Sequence, residues 1–180
     1  MNIKEQLAVT HSRDNANLVI NYIGNDEQKF AELMDLFLYG EYRTVQRASQ
    51  PISIIVEKNA DLISPYLADI IKNLKRNPIP AVKRNTMRFF QFIDIDESIT
   101  GELFDIALSY LIAIDEPVAV KAFSMTVLRK ICTEYPELIR EVRFQIEILV
   151  QEKVSAGLTH RGEHELIKLK KIEDDFLKRT

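Results

Sequence analysis

At 180 residues, 46% of them hydrophobic, the chain is long and apolar enough to bury a core without disulfides or metal. Lysine and arginine number 24 against 27 aspartates and glutamates, a net charge of −3. That balance excludes a globally basic nucleic-acid-binding chain and a disordered acidic tail, so any electrostatic message lies in where the charges sit. The one cysteine, Cys132, lies in the apolar stretch Val127–Cys132, which excludes a disulfide framework or a Cys-based zinc site and reads as a small core residue.

The opening Met1-Asn2-Ile3-Lys4-Glu5-Gln6 lacks the apolar run of a signal peptide. No later stretch approaches the roughly 20 apolar residues of a membrane span, so a soluble cytoplasmic protein with no membrane partner is expected. His11 stands in the polar run Thr10–Asn15, which reads as loop and helix-capping residues. Residues 12–23, with Leu18, Val19, Tyr22 and Ile23 on one side, read as an N-terminal cap helix. Beyond them Phe30, Leu33, Met34 and Phe37 follow the i, i+3, i+4, i+7 spacing of an amphipathic helix, as do Leu67, Ile70, Ile71 and Leu74. Pro78, Pro80, Pro117 and Pro136 fall where helices begin or are interrupted. The first helices of successive pairs are predicted at about 26–39, 62–75, 98–113 and 136–152, and the second helices at about 42–58, 80–93, 117–132 and 158–178.

These pairs repeat. Val45, Val82 and Val120 stand 37 and 38 residues apart, and so do Val56, Ile93 and Ile131. In the first helices Phe30, Leu67, Phe104 and Val142 keep the register at 37, 37 and 38, as do Phe37, Leu74, Leu111 and Leu149. A unit of two helices that cannot bury its apolar face alone is the signature of a stacked helical array. The expectation is an all-α, right-handed α-α superhelix of about four hairpins in a single domain over 1–180, with a cap at 1–25 and repeats at 26–58, 59–93, 94–132 and 133–180.

The segment Asp115-Glu116-Pro117-Val118-Ala119-Val120-Lys121-Ala122, followed by Leu128 and Ile131, resembles the second helix of HEAT repeats. Glu41–Ser49, continued by Val56-Glu57-Lys58-Asn59 and Leu62-Ile63, is similar to a group of small uncharacterised bacterial HEAT-repeat proteins of the armadillo type. The likeness spans nearly the whole chain. It implies a short HEAT-like solenoid in which the second helix of each hairpin lines the concave face, and it implies no particular chemistry.

The charges divide along that line, with acidic residues gathered on the first helices and basic ones on the second. Opposite the core positions of the second helices lie Arg43, Gln46, Arg47 and Gln50, then Lys83, Arg84, Met87 and Gln91, then Lys121, Met125 and Arg129, with Arg161 in the last. Stacked helices sit about 8 to 10 Å apart, so Gln46, Lys83 and Lys121 are expected to form a row across the concave face. Cationic, amide and thioether side chains together make an adaptable surface for an acidic protein segment or another anionic partner. The functional expectation is a non-enzymatic interaction module without a cofactor.

Two alternatives are weighed against it. His160-Arg161-Gly162-Glu163-His164 matches H-x-x-E-H, in which two histidines one turn apart bind zinc beside a general-base glutamate. Gly162 weakens the helix between the ligands, and Glu173, the nearest third ligand, lies about 14 Å further along it. Gly162 also follows Ser124 by 38, which marks it as a small residue required by packing, and the match is read as coincidental with no metal bound. The other alternative is a nucleic-acid binder similar in outline to the alkylpurine DNA glycosylases, which also stack helical hairpins around a basic groove. The chain departs from that pattern in having no tryptophan and no groove carboxylate flanked by aromatics. Phosphate-binding loops, dinucleotide fingerprints and nucleophile elbows are absent from the sequence.

Overall fold

The computed structural model describes residues 1–178. Among them every regular element is helical, and the contacts fall into two compact units, Met1–Asp94 and one from Ile95 onward. The division falls at the boundary between the second and third sequence repeats.

In the first unit, α1 (Ile3–Val9) begins at Asn2, whose side chain accepts from the Glu5 amide at 3.0 Å. Helix α2 (Arg13–Ile23) is capped by Ser12 in the same way and ends at Gly24, whose φ of +54° favours a residue without a side chain. Asn15 fastens the two together: its side chain donates to the carbonyls of Gln6 and Thr10, both at 2.9 Å, and accepts from the Gln6 side-chain amide. The cap therefore has one more helix than the sequence pattern predicts. Helix α3 (Glu27–Tyr39) starts at Asp26, which accepts from the amides of Gln28 and Lys29. Helix α4 (Tyr42–Lys58) packs against α1, α2, α3 and the later α6 (Pro80–Phe89), so it is the hub of the unit. Between α4 and α6 lie a 3-10 segment, Ala60–Tyr66, and α5 (Leu67–Lys75). The predicted helix at 62–75 begins late because Pro65 cannot donate the amide that an α-helical start across it would need. The predicted helix at 80–93 ends at Phe89 and closes in a tight turn, where the Phe92 amide donates to the Phe89 carbonyl.

The second unit contains α7 (Glu97–Ile112), α8 (Val118–Glu134), a 3-10 turn at Pro136–Leu138, α9 (Ile139–Glu152) and α10 (Ala156–Leu177). Helix α8 packs on α7, α9 and α10, and α9 lies along α10. The core follows the repeat stripes: Phe30, Leu33, Met34 and Phe37 are buried with Ile52, Val56, Ile70, Ile71 and Leu74 in one unit. Leu103, Ala107, Leu111, Val127, Leu128, Val142, Ile146 and Leu158 do the same work in the other. Gly162 is buried where α10 meets α9, and a Cβ there would stand 2.5 Å from Val150 Cγ2 and 3.3 Å from Ile146 Cγ2. The packing role expected of Gly162 is thus visible in its neighbours.

Candidate interaction surfaces

The second helices position the candidate residues, and burial sorts them. On α4, Arg43 is exposed while Gln46 and Gln50 are half-buried. Arg47 is turned inward on the cap: its Nη1 donates to the carbonyls of Leu7 and Ala8 at 2.8 and 2.9 Å. Those are among the last carbonyls of α1, which lack partners within the helix and carry the negative end of its dipole. On α6, Arg84 is exposed and Gln91 half-buried, but Lys83 is 6% exposed and Met87 is fully buried. Arg88, beside them, donates to Ser53 Oγ at 2.8 Å and pairs with Glu57, both on α4.

In the second unit the candidates are committed internally. Lys121 is 6% exposed, and its Nζ reaches the Leu111 carbonyl at 3.4 Å, at the C-terminal end of α7. Met125 is fully buried. Arg129 Nε donates to Glu165 Oε2 at 2.7 Å, and Arg161 Nη1 lies 3.4 Å from Glu165 Oε1 and 3.1 Å from Thr126 Oγ1. Thr126 Oγ1 donates to Glu165 Oε1 at 2.7 Å. Glu165 has no exposed surface, so a carboxylate has been taken out of water and given a hydroxyl and two guanidinium groups. The expected outward row of Gln46, Lys83 and Lys121 is therefore corrected in two of its members, and Met87 and Met125 belong to the core.

The cause is a limit of helical arithmetic. Lys83 and Lys121 follow the core residues Val82 and Val120 by one position, which places each on the shoulder of its helix, about 100° from the core direction. Periodicity gives that angle but not which neighbouring helix closes over the shoulder. Glu165 did carry a readable signal. Leu158, Gly162, Glu165 and Leu169 recur at i, i+4, i+7, i+11, and an acid on an otherwise apolar stripe calls for buried cations.

The H-x-x-E-H string lies on the opposite side of α10. His160, Glu163 and His164 are all exposed, with the two imidazoles edge-to-face at 4.6 Å between centroids. Glu173 accepts from Arg143 Nη1 at 2.7 Å and is thereby engaged with α9. Among the described residues no group of three His, Cys, Asp or Glu side chains is placed to hold a metal ion. Burial pushes the Cys132 thiol up to about 12, so at neutral pH it is protonated. Asp26 and Asp96 are held below the usual carboxylate range by hydrogen bonds at their helix starts, from Lys29 and Ser98 respectively.

Comparison with protein families matches residues 3–167 to the HEAT repeat domain. The chain belongs to the HEAT repeat family. No curated protein and no solved structure matches it. HEAT repeats typically mediate protein interactions, and this family membership points to an interaction scaffold. No helix among the described residues is long and apolar enough to cross a membrane.

Proposed function

We propose that this HEAT repeat chain is a non-enzymatic cytoplasmic interaction module that grips an acidic segment of another protein through the outward side of α4 and α6. The observation that carries the reading is the charge of that helix pair. The two helices pack side by side and carry a single acid, Glu57, which Arg88 neutralises; with Arg47 turned onto α1 and Lys83 buried, the cations left exposed are Arg43, Lys58 and Arg84. Arg43 and Arg84 are exposed, with Gln46, Gln50 and Gln91 half-buried beside them. Arginine forks pair with carboxylates through two hydrogen bonds, and the amides add contacts that tolerate variation in the partner. Helix α10 offers no such imbalance, since Arg161, Lys168, Lys170 and Lys171 share it with Glu163, Glu165, Glu173, Asp174 and Asp175. The surface is thus narrower than the sequence row suggests, and Arg129, Arg161, Lys121 and Met125 serve the packing of the second unit.

The test is fluorescence anisotropy with a labelled Asp/Glu-rich peptide and, in parallel, a labelled duplex DNA. The peptide should bind at low salt and weaken as salt rises, and Arg43→Glu with Arg84→Glu should reduce its affinity at least tenfold. Charge reversal at Lys83 or Lys121 is the wrong probe, because both are buried and the variant would report on folding. Peptide binding that survives the Arg43/Arg84 reversal sinks the proposal. A duplex bound more tightly than the peptide, with the steep salt dependence of counterion release, would transfer the surface to nucleic acid.

A further inference from the structure

We infer that α10 carries a second, self-complementary surface through which two copies of this chain pair antiparallel. The repeat register identifies it. On α8 the stripe of Met125, Thr126 and Arg129 is where α10 packs: Thr126 and Arg129 both bond Glu165, and Met125 Cε lies 3.9 Å from where a Cβ on Gly162 would stand. Thirty-eight positions later the same stripe of α10 is Glu163, His164 and Ile167. No later helix exists among the described residues to cover it, and Ile167 is 70% exposed. The stripe continues through His160 on one side of Ile167 and Lys170 and Asp174 on the other, all exposed. It lies directly opposite the buried positions Leu158, Gly162, Glu165 and Leu169.

The order of charges along this stripe selects the occupant. A two-fold axis through Ile167 brings a residue n positions before it level with the residue n positions after it in the second copy. Asp174 then meets His160 of the second copy, Lys171 comes level with Glu163, and Lys170, level with His164, lies within one helical rise of about 1.5 Å of that same Glu163. The same contacts occur twice, because the axis makes the interface isologous. A parallel pairing would instead set Lys170 and Lys171 against their own copies. At the centre the two Ile167 side chains bury each other. A single helix pair of this length falls at the small end of specific interfaces, so the dimer is weak and concentration-dependent.

Sedimentation equilibrium over protein concentrations up to about 1 mM reads this directly. The wild-type chain should move from monomer toward dimer mass as concentration rises. Ile167→Asp should remain monomeric with an unchanged unfolding midpoint, since the side chain is exposed in the folded chain. The decisive pair is Glu163→Lys and the double variant Lys170→Glu/Lys171→Glu. Each should stay monomeric alone, through repulsion at both symmetric contacts, and the two should associate when mixed. A wild-type chain that remains monomeric throughout overturns the inference. So does association that persists in Ile167→Asp, or a mixture of the charge-reversed variants that fails to associate.

Discussion

Each compact unit ties its second helices together with an arginine, a hydroxyl and a glutamate, but the two ties differ in depth. In the first unit Arg88 on α6 reaches Ser53 and Glu57 on α4, and Glu57 keeps more than a third of its side-chain surface in water. In the second unit Glu165 on α10 takes Thr126 and Arg129 from α8 and Arg161 from its own helix, with nothing left exposed. An exposed carboxylate needs one partner and tolerates its loss, because water replaces it. A buried one needs its acceptor capacity filled, because the alternative is an ion stranded in a low dielectric. Depth, not the number of charges, makes the second tie the stiffer joint.

The largest expected effect follows from that difference. Glu165→Ala empties a fully buried site: it leaves a cavity, takes the acceptor from the buried Thr126 hydroxyl and removes the anion shared by Arg129 and Arg161, and it should destabilise the second unit by about 2 to 4 kcal/mol in chemical denaturation. Cys132 gives an independent readout. With its thiol raised to about 12 by burial, it should resist thiol reagents at pH 8 until the unit opens. Labelling should be roughly a hundredfold faster in Glu165→Ala if the loss is near 3 kcal/mol. The sign of the pH effect is also fixed. Because the folded value lies above the ordinary thiol value near 9, the contribution of Cys132 to stability is complete below 9 and disappears as pH climbs toward 12. A Cys132 that labels at the same rate in the folded and unfolded chains would show that it is not in the core.

Gly162 yields a smaller effect and tests the same joint sterically. Gly162→Ala sets a methyl group 2.5 Å from Val150 Cγ2, an overpacking that costs about 1 to 3 kcal/mol, against a helix-propensity gain of about 1. The net should be a modest loss. Gly101 is the control: it lies inside α7 with open space around it, so Gly101→Ala should stabilise by up to about 1 kcal/mol. Equal outcomes for the two glycines would remove the packing explanation for Gly162.

Much of this architecture is legible in the sequence because burial and helical period coincide at Phe30, Leu33, Met34 and Phe37 and their register mates. Gly162 was legible for the same reason, as a small residue in step with Ser124. Helix α1 escaped because only Ile3 and Leu7 of its seven residues mark the buried stripe, too few to establish a period, although Asn2 is a capping residue. The surface residues were the least legible. Arg47 and Arg129 carry the same charge as Arg43 and Arg84, yet the first two end on a helix terminus and a buried acid. Only the neighbouring elements decide which cation is spent at home.

The mildest perturbation bears most directly on the comparison between the ties. Glu57→Ala removes the anion from a pair whose two side chains are 28% and 38% exposed, so Arg88 can turn to water while keeping Ser53. The expected loss is below about 1 kcal/mol. Raising salt should shrink it further, since a Debye length of about 8 Å near physiological ionic strength already screens exposed charges. The deficit of Glu165→Ala should persist in the same salt, because the cavity and the unpaired buried Thr126 hydroxyl set it rather than long-range attraction. If Glu57→Ala cost as much as Glu165→Ala and resisted salt equally, depth would not be what separates the two ties. The first unit would then depend on its arginine as strictly as the second does.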